Sequence, residues 1–319
     1  MDGRSVRFHL ITRCDFDGLV CAMLLEEMDV LDRVKFVHPK DVQDGTIEVT
    51  NRDILANVPF VSGCHLCFDH HASEEIRNID TQAENYVLDP KAESAARVLY
   101  NYFGGAKQFP DINLEMMDAV DKADSARFTR NEILDPTGWT LLSFLLDPRT
   151  GDGRFRGFRI SNYELTMNLI DYCKGHTIEQ VLALPDVVER VKVYNAHPED
   201  FCNQITSCST VYGNVVVLDL REEETIFSGN RFVIYALYPE CDVSIHVMWG
   251  LKKQNTVLAI GKSILDRSNP YDIGEIALQY GGGGHAAAGT CQVSHEDAPR
   301  VLGEIIEKLS VRSLDASLA

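Results

Sequence analysis

Three short runs in this chain have the residue types and spacing for chemistry on a charged ligand: Asp15-Phe16-Asp17-Gly18, Asp69-His70-His71 and Gly281-Gly282-Gly283-Gly284-His285. Carboxylate oxygens and imidazole nitrogens are the donors that hard or borderline divalent cations take. Four glycines ahead of a histidine leave backbone N–H groups with no Cβ in the way, so they can curl around an anion. The first two runs point to metal, the third to phosphate. Taken alone, Asp-x-Asp-Gly is a turn and a glycine run is a linker. Around the glycines, however, stand a helix-like apolar segment and Ala286-Ala287-Ala288-Gly289, small residues that imply close backbone approach in a packed domain.

The elements that must position these groups are legible in outline. Strand-like and helix-like segments alternate in the first half: Val6–Thr12, helical Gly18–Met28, then Val34–His38, Thr46–Thr50 and His65–Phe68. This alternation predicts a parallel sheet covered by helices. Asp15 and Asp17 then follow the first strand, and Asp69-His70-His71 ends another, at the carboxyl edge where open α/β sheets place ligands. Helical spacing recurs over Ala92–Phe103, Leu114–Lys122 and Tyr163–Lys174. A connecting region from about Thr177 to Cys208 is broken by His197-Pro198. Beyond it, Asn214–Leu220, Arg231–Tyr238, Asp242–Trp249 and Asn255–Lys262 read as strands and Tyr271–Tyr280 as a helix. The expected fold class is α/β, with an N-terminal parallel sheet domain over residues 1–195 and a smaller α+β domain over residues 196–319. The active site is expected in the cleft between them.

Composition narrows the function. The 319 residues suffice for two cores, and a net charge of −18 argues against a protein that coats long nucleic acid. No run is long and apolar enough for a membrane span, the start reads as a strand and not a signal peptide, and nine scattered cysteines suit reduced thiols. A cytoplasmic protein is expected. One cationic stretch stands out, with Arg149, Arg154, Arg156 and Arg159 among Gly151, Gly153 and Gly157; it is either a ligand-steering loop or a solvated one. Cys64-His65-Leu66-Cys67 lacks a second cysteine pair and reads as a strand with alternating burial, not a zinc site. His246 reads as a core or cleft residue, and Gly151-Asp152-Gly153 lacks the spacing of a nucleotide fingerprint.

Together, Arg13-Cys14-Asp15-Phe16-Asp17-Gly18-Leu19-Val20, Phe68-Asp69-His70-His71 and Gly281–His285 resemble the DHH phosphoesterases and their C-terminal DHH-associated domain, in the branch called exopolyphosphatase-related. The resemblance runs over nearly the whole chain. It implies a pair of divalent ions, manganese or else magnesium, held by Asp15, Asp17, Asp53, His70 and Asp124, with Asp121 a rival for the last position. Asp69 and His71 would orient His70 or touch substrate. Arg13 stands where many members carry a histidine; an arginine cannot ligate metal and would bind a substrate phosphate. Arg267, Ser268, Gly282, Gly283, Gly284 and His285 would hold that substrate. The expected activity is hydrolysis, by metal-activated water, of a small phosphorylated substrate: a short oligonucleotide, a cyclic dinucleotide, a 3′-phosphonucleotide or polyphosphate. The alternative is a degenerate relative that binds nucleotide or protein without catalysis, and Arg13 is its support. No membrane partner is expected, and the oligomeric state stays open, a homodimer included.

Overall fold

The structure is a computed structural model, and it describes residues 6–71, 83–150 and 157–310. The chain divides into two compact units, Met1–Arg127 with Pro136–Tyr194, and Phe128–Asp135 with Asn195–Ala319. Phe128–Asp135, which the sequence places in the first domain, groups with the second. Phe128 packs on Phe232, Arg130 donates to the carbonyl of Ala236, and Asn230 donates to that of Ile133.

The first unit is built on five parallel strands in the order β2-β1-β3-β4-β5: β1 (Phe8–Thr12), β2 (Leu31–Phe36), β3 (Asp53–Ala56), β4 (Leu66–Asp69) and β5 (Tyr86–Leu88). Side chains alternate across the pleat. Leu10, Ile54, Ala56 and Phe68 face one core with α1 (Phe16–Glu27), while Ile11, Leu55 and Cys67 face another with Val42, Val58 and Cys64. Helix α1 is buried from Phe16 to Leu25, so it is apolar nearly all round, as an enclosed helix must be. After α2 (Pro39–Gln43) come α3 (Ala95–Tyr102), α4 (Leu114–Asp124), α6 (Gly138–Leu146), α7 (Asn162–Cys173), α8 (Ile178–Leu182) and α9 (Pro185–Tyr194), while α5 (Arg130–Leu134) and α10 (Pro198–Ser207) belong to the other unit.

Three expectations are corrected. Thr46–Thr50 is not a strand; Thr50 instead turns back to hydrogen-bond Asp53 through its amide and hydroxyl, and the strand begins at Asp53. The region from Thr177 to Cys208 holds three short helices, α8 to α10. Arg231–Tyr238 is no strand, because Val233–Leu237 forms helix α11; a short buried apolar run is not distinguished from a strand by periodicity.

The second unit carries a mixed six-stranded sheet, β10-β11-β9-β8-β7-β6, comprising β6 (Ser209–Tyr212), β7 (Val215–Asp219), β8 (Val243–Trp249), β9 (Thr256–Lys262), β10 (Gly283–His285) and β11 (Ala288–Val293). Only the β7–β8 pair is parallel. One face packs Val243, Ile245, Leu258 and Ile260 against α12 (Ile273–Leu278) and α13 (Ala298–Ser310). All nine cysteines are free thiols, Cys64 and Cys67 as core residues. Among the described residues no helix is long and apolar enough to cross a membrane.

Candidate active site

Parallel pairing brings the carboxyl ends of β1, β3 and β4 side by side, and the charged motifs follow directly from them. The turn after β1 is held by Asp15, the N-cap of α1, whose Oδ1 accepts from the Gly18 amide at 3.0 Å. Only glycine fits at position 18, since a Cβ there would lie 2.0 Å from the carbonyl oxygen of Arg13. Asp15 Oδ2 lies 3.1 Å from Arg13 Nε. Burial pushes the Asp15 carboxyl up despite that partner, whereas Asp15 raises the Arg13 guanidinium. Asp17 is 2 % exposed, and its two oxygens accept the Ala95 and Ala96 amides at 3.0 and 2.8 Å, so it anchors the first turn of α3. Burial, then the charge of Asp124, pushes its carboxyl up to about 7.

At the end of β4, Asp69 Oδ1 accepts from the amides of His70 and His71 and meets Nδ1 of His71 at 2.7 Å. This carboxylate orients the pair; by contacting Nδ1 it fixes the ring so that Nε2 of His71 is the nitrogen left for another partner. His70 Nδ1 lies 3.3 Å from the carbonyl of Ala92. Its Nε2 meets Asp124 Oδ2 at 2.6 Å, so the ring is held between a carbonyl and a carboxylate. Burial works against a charged His70, yet Asp124, then Asp17 and Asp69, outweigh it and hold the ring up at about 9. Burial would raise the Asp124 carboxyl, but His70, His71 and Arg13 pull it below its ordinary value. Ligand atoms of His70, His71 and Asp124 all lie within 4.8 Å of one another.

The structure thus gathers His70, His71 and Asp124, with Asp15, Asp17 and Arg13 in their field. It separates Asp121 from Asp124: Asp121 accepts Ser94 Oγ and Arg97 Nε, both at 2.7 Å, and so braces the start of α3. Asp53 is corrected more sharply. It opens β3, paired in register with His9 near the start of β1, and therefore lies at the amino edge of the sheet, away from the other motifs. Burial opposes its charge, but Thr50 and His9 outweigh burial and keep the carboxyl below its ordinary value.

The residue at the carboxyl end of β3 is Asn57, which is not among the residues expected from the sequence. It is 1 % exposed, has φ of +55°, donates its amide to the Phe68 carbonyl beside Asp69, and leaves both side-chain polar atoms unpartnered. Thr12, at the end of β1, is likewise buried with its hydroxyl unpartnered. An unsatisfied buried amide costs about 1–3 kcal/mol, so such atoms mark a place for a ligand, ion or water. The signal in the sequence was a lone amide interrupting Ile54-Leu55-Ala56-Asn57-Val58.

In the second unit the glycine run is not a free loop. Gly283–His285 forms β10, an edge strand paired with β11, with Gly284 opposite Gly289. The glycines are there for close packing: a Cβ would lie 2.1 Å from the Thr290 carbonyl oxygen at Gly282 and 2.2 Å from that of Ala288 at Gly284. His285 is exposed and accepts the Ala287 amide on Nδ1. Arg267 and Ser268 are exposed on the loop between β9 and α12. His246 is held uncharged, pushed down to about 4 by burial and by Arg231. Of the cationic stretch, Arg149 pairs with Asp147 and Arg159 with Asp186, while Gly151, Asp152, Gly153, Arg154 and Arg156 lie outside the described residues.

Comparison with protein-family models and with curated proteins returns no match. Among solved structures, the pGpG-specific phosphodiesterase PggH from Vibrio cholerae is 55% identical, with 95% of this chain and 99% of that chain covered and a TM-score of 0.82. Exonuclease RecJ bound to manganese is 13% identical over 96% of this chain and 90% of its own, with a TM-score of 0.50. CDC45 from Entamoeba histolytica is 10% identical over 96% and 95%, also at 0.50. The last two share the fold; the first, with the Asp69-His70-His71 cluster, places the chain in a family. This protein belongs to the DHH family of phosphoesterases, hydrolases of phosphoester bonds.

Proposed function

We propose that this protein is a divalent-metal-dependent phosphodiesterase that cleaves the linear dinucleotide pGpG into two molecules of pG by addition of water. The observation that carries this reading is the 55% identity, over nearly the full length of both chains, to a pGpG-specific phosphodiesterase. The residues present fit a cation. Three ligand atoms converge from His70, His71 and Asp124, and His70 Nε2 and Asp124 Oδ2 face each other at 2.6 Å. His70, His71 and Asp124 would hold one ion, with Asp15 and Asp17 as oxygen donors toward a second, and manganese suits the mixed nitrogen and oxygen set.

A cation bound there would supply polarisation of a phosphoryl oxygen and of water. The chain's own groups do the rest. Asp69 fixes the His71 ring, and Arg13, kept charged beside Asp15, neutralises a phosphate oxygen. In the second unit Arg267, Ser268 and the outer edge of β10 with His285 take the remaining phosphate. An acidic body repels long polyanions, which favours the dinucleotide.

The test is a panel at equal phosphodiester concentration with manganese: pGpG, a longer oligoribonucleotide, a cyclic dinucleotide and polyphosphate. The expected result is a kcat/KM for pGpG at least about tenfold above the others. Faster turnover of polyphosphate or of the longer strand would overturn the substrate assignment.

A further inference from the structure

The loop that presents Arg267 and Ser268 is tied down at both ends by polar groups to which no function has been attached. On the β9 side, the Ser263 amide donates to the Asp242 carbonyl at 2.7 Å, and Ser263 Oγ accepts from the amides of Leu265 and Asp266. Asp266 Oδ1 accepts from the Ser268 amide. On the α12 side, Asn269 is 5 % exposed, and its side chain donates to Asp242 Oδ1, which Asn214 also bonds. Lys262, the last residue of β9, spans the loop: its ammonium donates to the carbonyls of Asn269 at 3.2 Å and Tyr271 at 2.9 Å. Its own amide donates to the Ala287 carbonyl, in the turn between β10 and β11. One lysine therefore touches both the segment carrying Arg267-Ser268 and the hairpin carrying the glycine strand.

We propose that Lys262 is a positioning residue that fixes the Arg267–Ser268 loop relative to the glycine strand, so that both meet the substrate phosphate in one preset arrangement. The inference rests on the reading that these two elements bind substrate. Charge-assisted bonds to carbonyls are stronger than neutral ones, and a loop held in its bound shape loses less freedom when ligand arrives. Misplacement by an ångström is costly for a phosphate contact. The effect belongs on KM, because Lys262 does not touch the group that is attacked.

The experiment is steady-state kinetics of the full chain on pGpG for Lys262→Met, Lys262→Arg, Arg267→Ala and the Lys262→Met/Arg267→Ala double variant, each with its melting temperature. Expected are a KM raised about tenfold in Lys262→Met with kcat within about twofold, recovery of most of the loss in Lys262→Arg, and a double variant no worse than Arg267→Ala alone. Should Lys262→Met fold poorly, Lys262→Gln, which keeps a donor without the charge, is read the same way. A raised KM in Arg267→Ala with none in the Lys262 variants overturns the positioning role. Unchanged KM in Arg267→Ala itself overturns the substrate-site reading instead. Strict additivity in the double variant also contradicts the inference, because the lysine would then act independently of the arginine.

Discussion

At the scale of single residues, the site sorts similar side chains into different work by what surrounds them. Asp69, Asp121 and Asp124 are all acidic and all close in sequence to a histidine or a helix, yet one orients a ring, one braces α3 and one meets His70. Protonation makes this testable. Asp17, pushed up to about 7, and His70, held up at about 9, both carry a proton at pH 6. A cation must displace those protons, so its affinity rises with pH, first as Asp17 deprotonates and then toward the range of His70. Manganese titration calorimetry between pH 6 and 9 should show that rise with proton release, and a flat profile would remove both groups from the site. His70→Ala should weaken manganese binding by about 100-fold, whereas His285→Ala should leave it unchanged and raise KM for pGpG. Equal metal loss in both would contradict this division of labour. Asp53→Ala should leave manganese affinity intact and cost about 1–3 kcal/mol of stability in urea unfolding, through lost bonds to Thr50 and His9.

At the scale of elements, the turn between β1 and α1 is set by sterics as much as by charge. Gly18→Ala should destabilise the first unit by about 1–3 kcal/mol, because its Cβ would collide with the Arg13 carbonyl; unchanged urea unfolding would mean the turn relaxes freely. The elements also decide what was legible in the sequence. The strands leading to Asp15 and Asp69 were readable because short apolar runs end at charged motifs, and the glycine run because nothing else in the chain looks like it. The glycines allow β10 to pack on β11 and α12, the close backbone approach expected from the small residues around them. Asp53 was misplaced because Thr46–Thr50 alternates like a strand, and that shifts which end of Asp53–Ala56 meets the site. The helix at Val233–Leu237 was hidden because five buried apolar residues fit either period. Asn57 left only a weak local trace, an amide breaking an apolar run, and its place beside Asp69 follows from the pairing of β3 with β4.

At the scale of the whole molecule, the proposed function would divide two tasks between the two units. A parallel sheet delivers acids and imidazoles from its carboxyl ends, and a mixed sheet presents a glycine edge strand with an arginine loop. With 48 acidic against 30 basic residues, the net charge of −18 would repel a long polyanion more than a dinucleotide. Under the proposed function, His70, His71 and Asp124 would hold a metal that supports hydrolysis of a linear dinucleotide. The most direct measurement is release of pG from pGpG by the purified protein, followed with manganese, after chelation, and after manganese is restored, in the wild type and in Asp124→Asn. Expected is turnover that chelator abolishes and manganese restores in the wild type, with a loss of at least about 100-fold in the variant. Turnover that survives chelation, or an Asp124→Asn enzyme as active as the wild type, would contradict it.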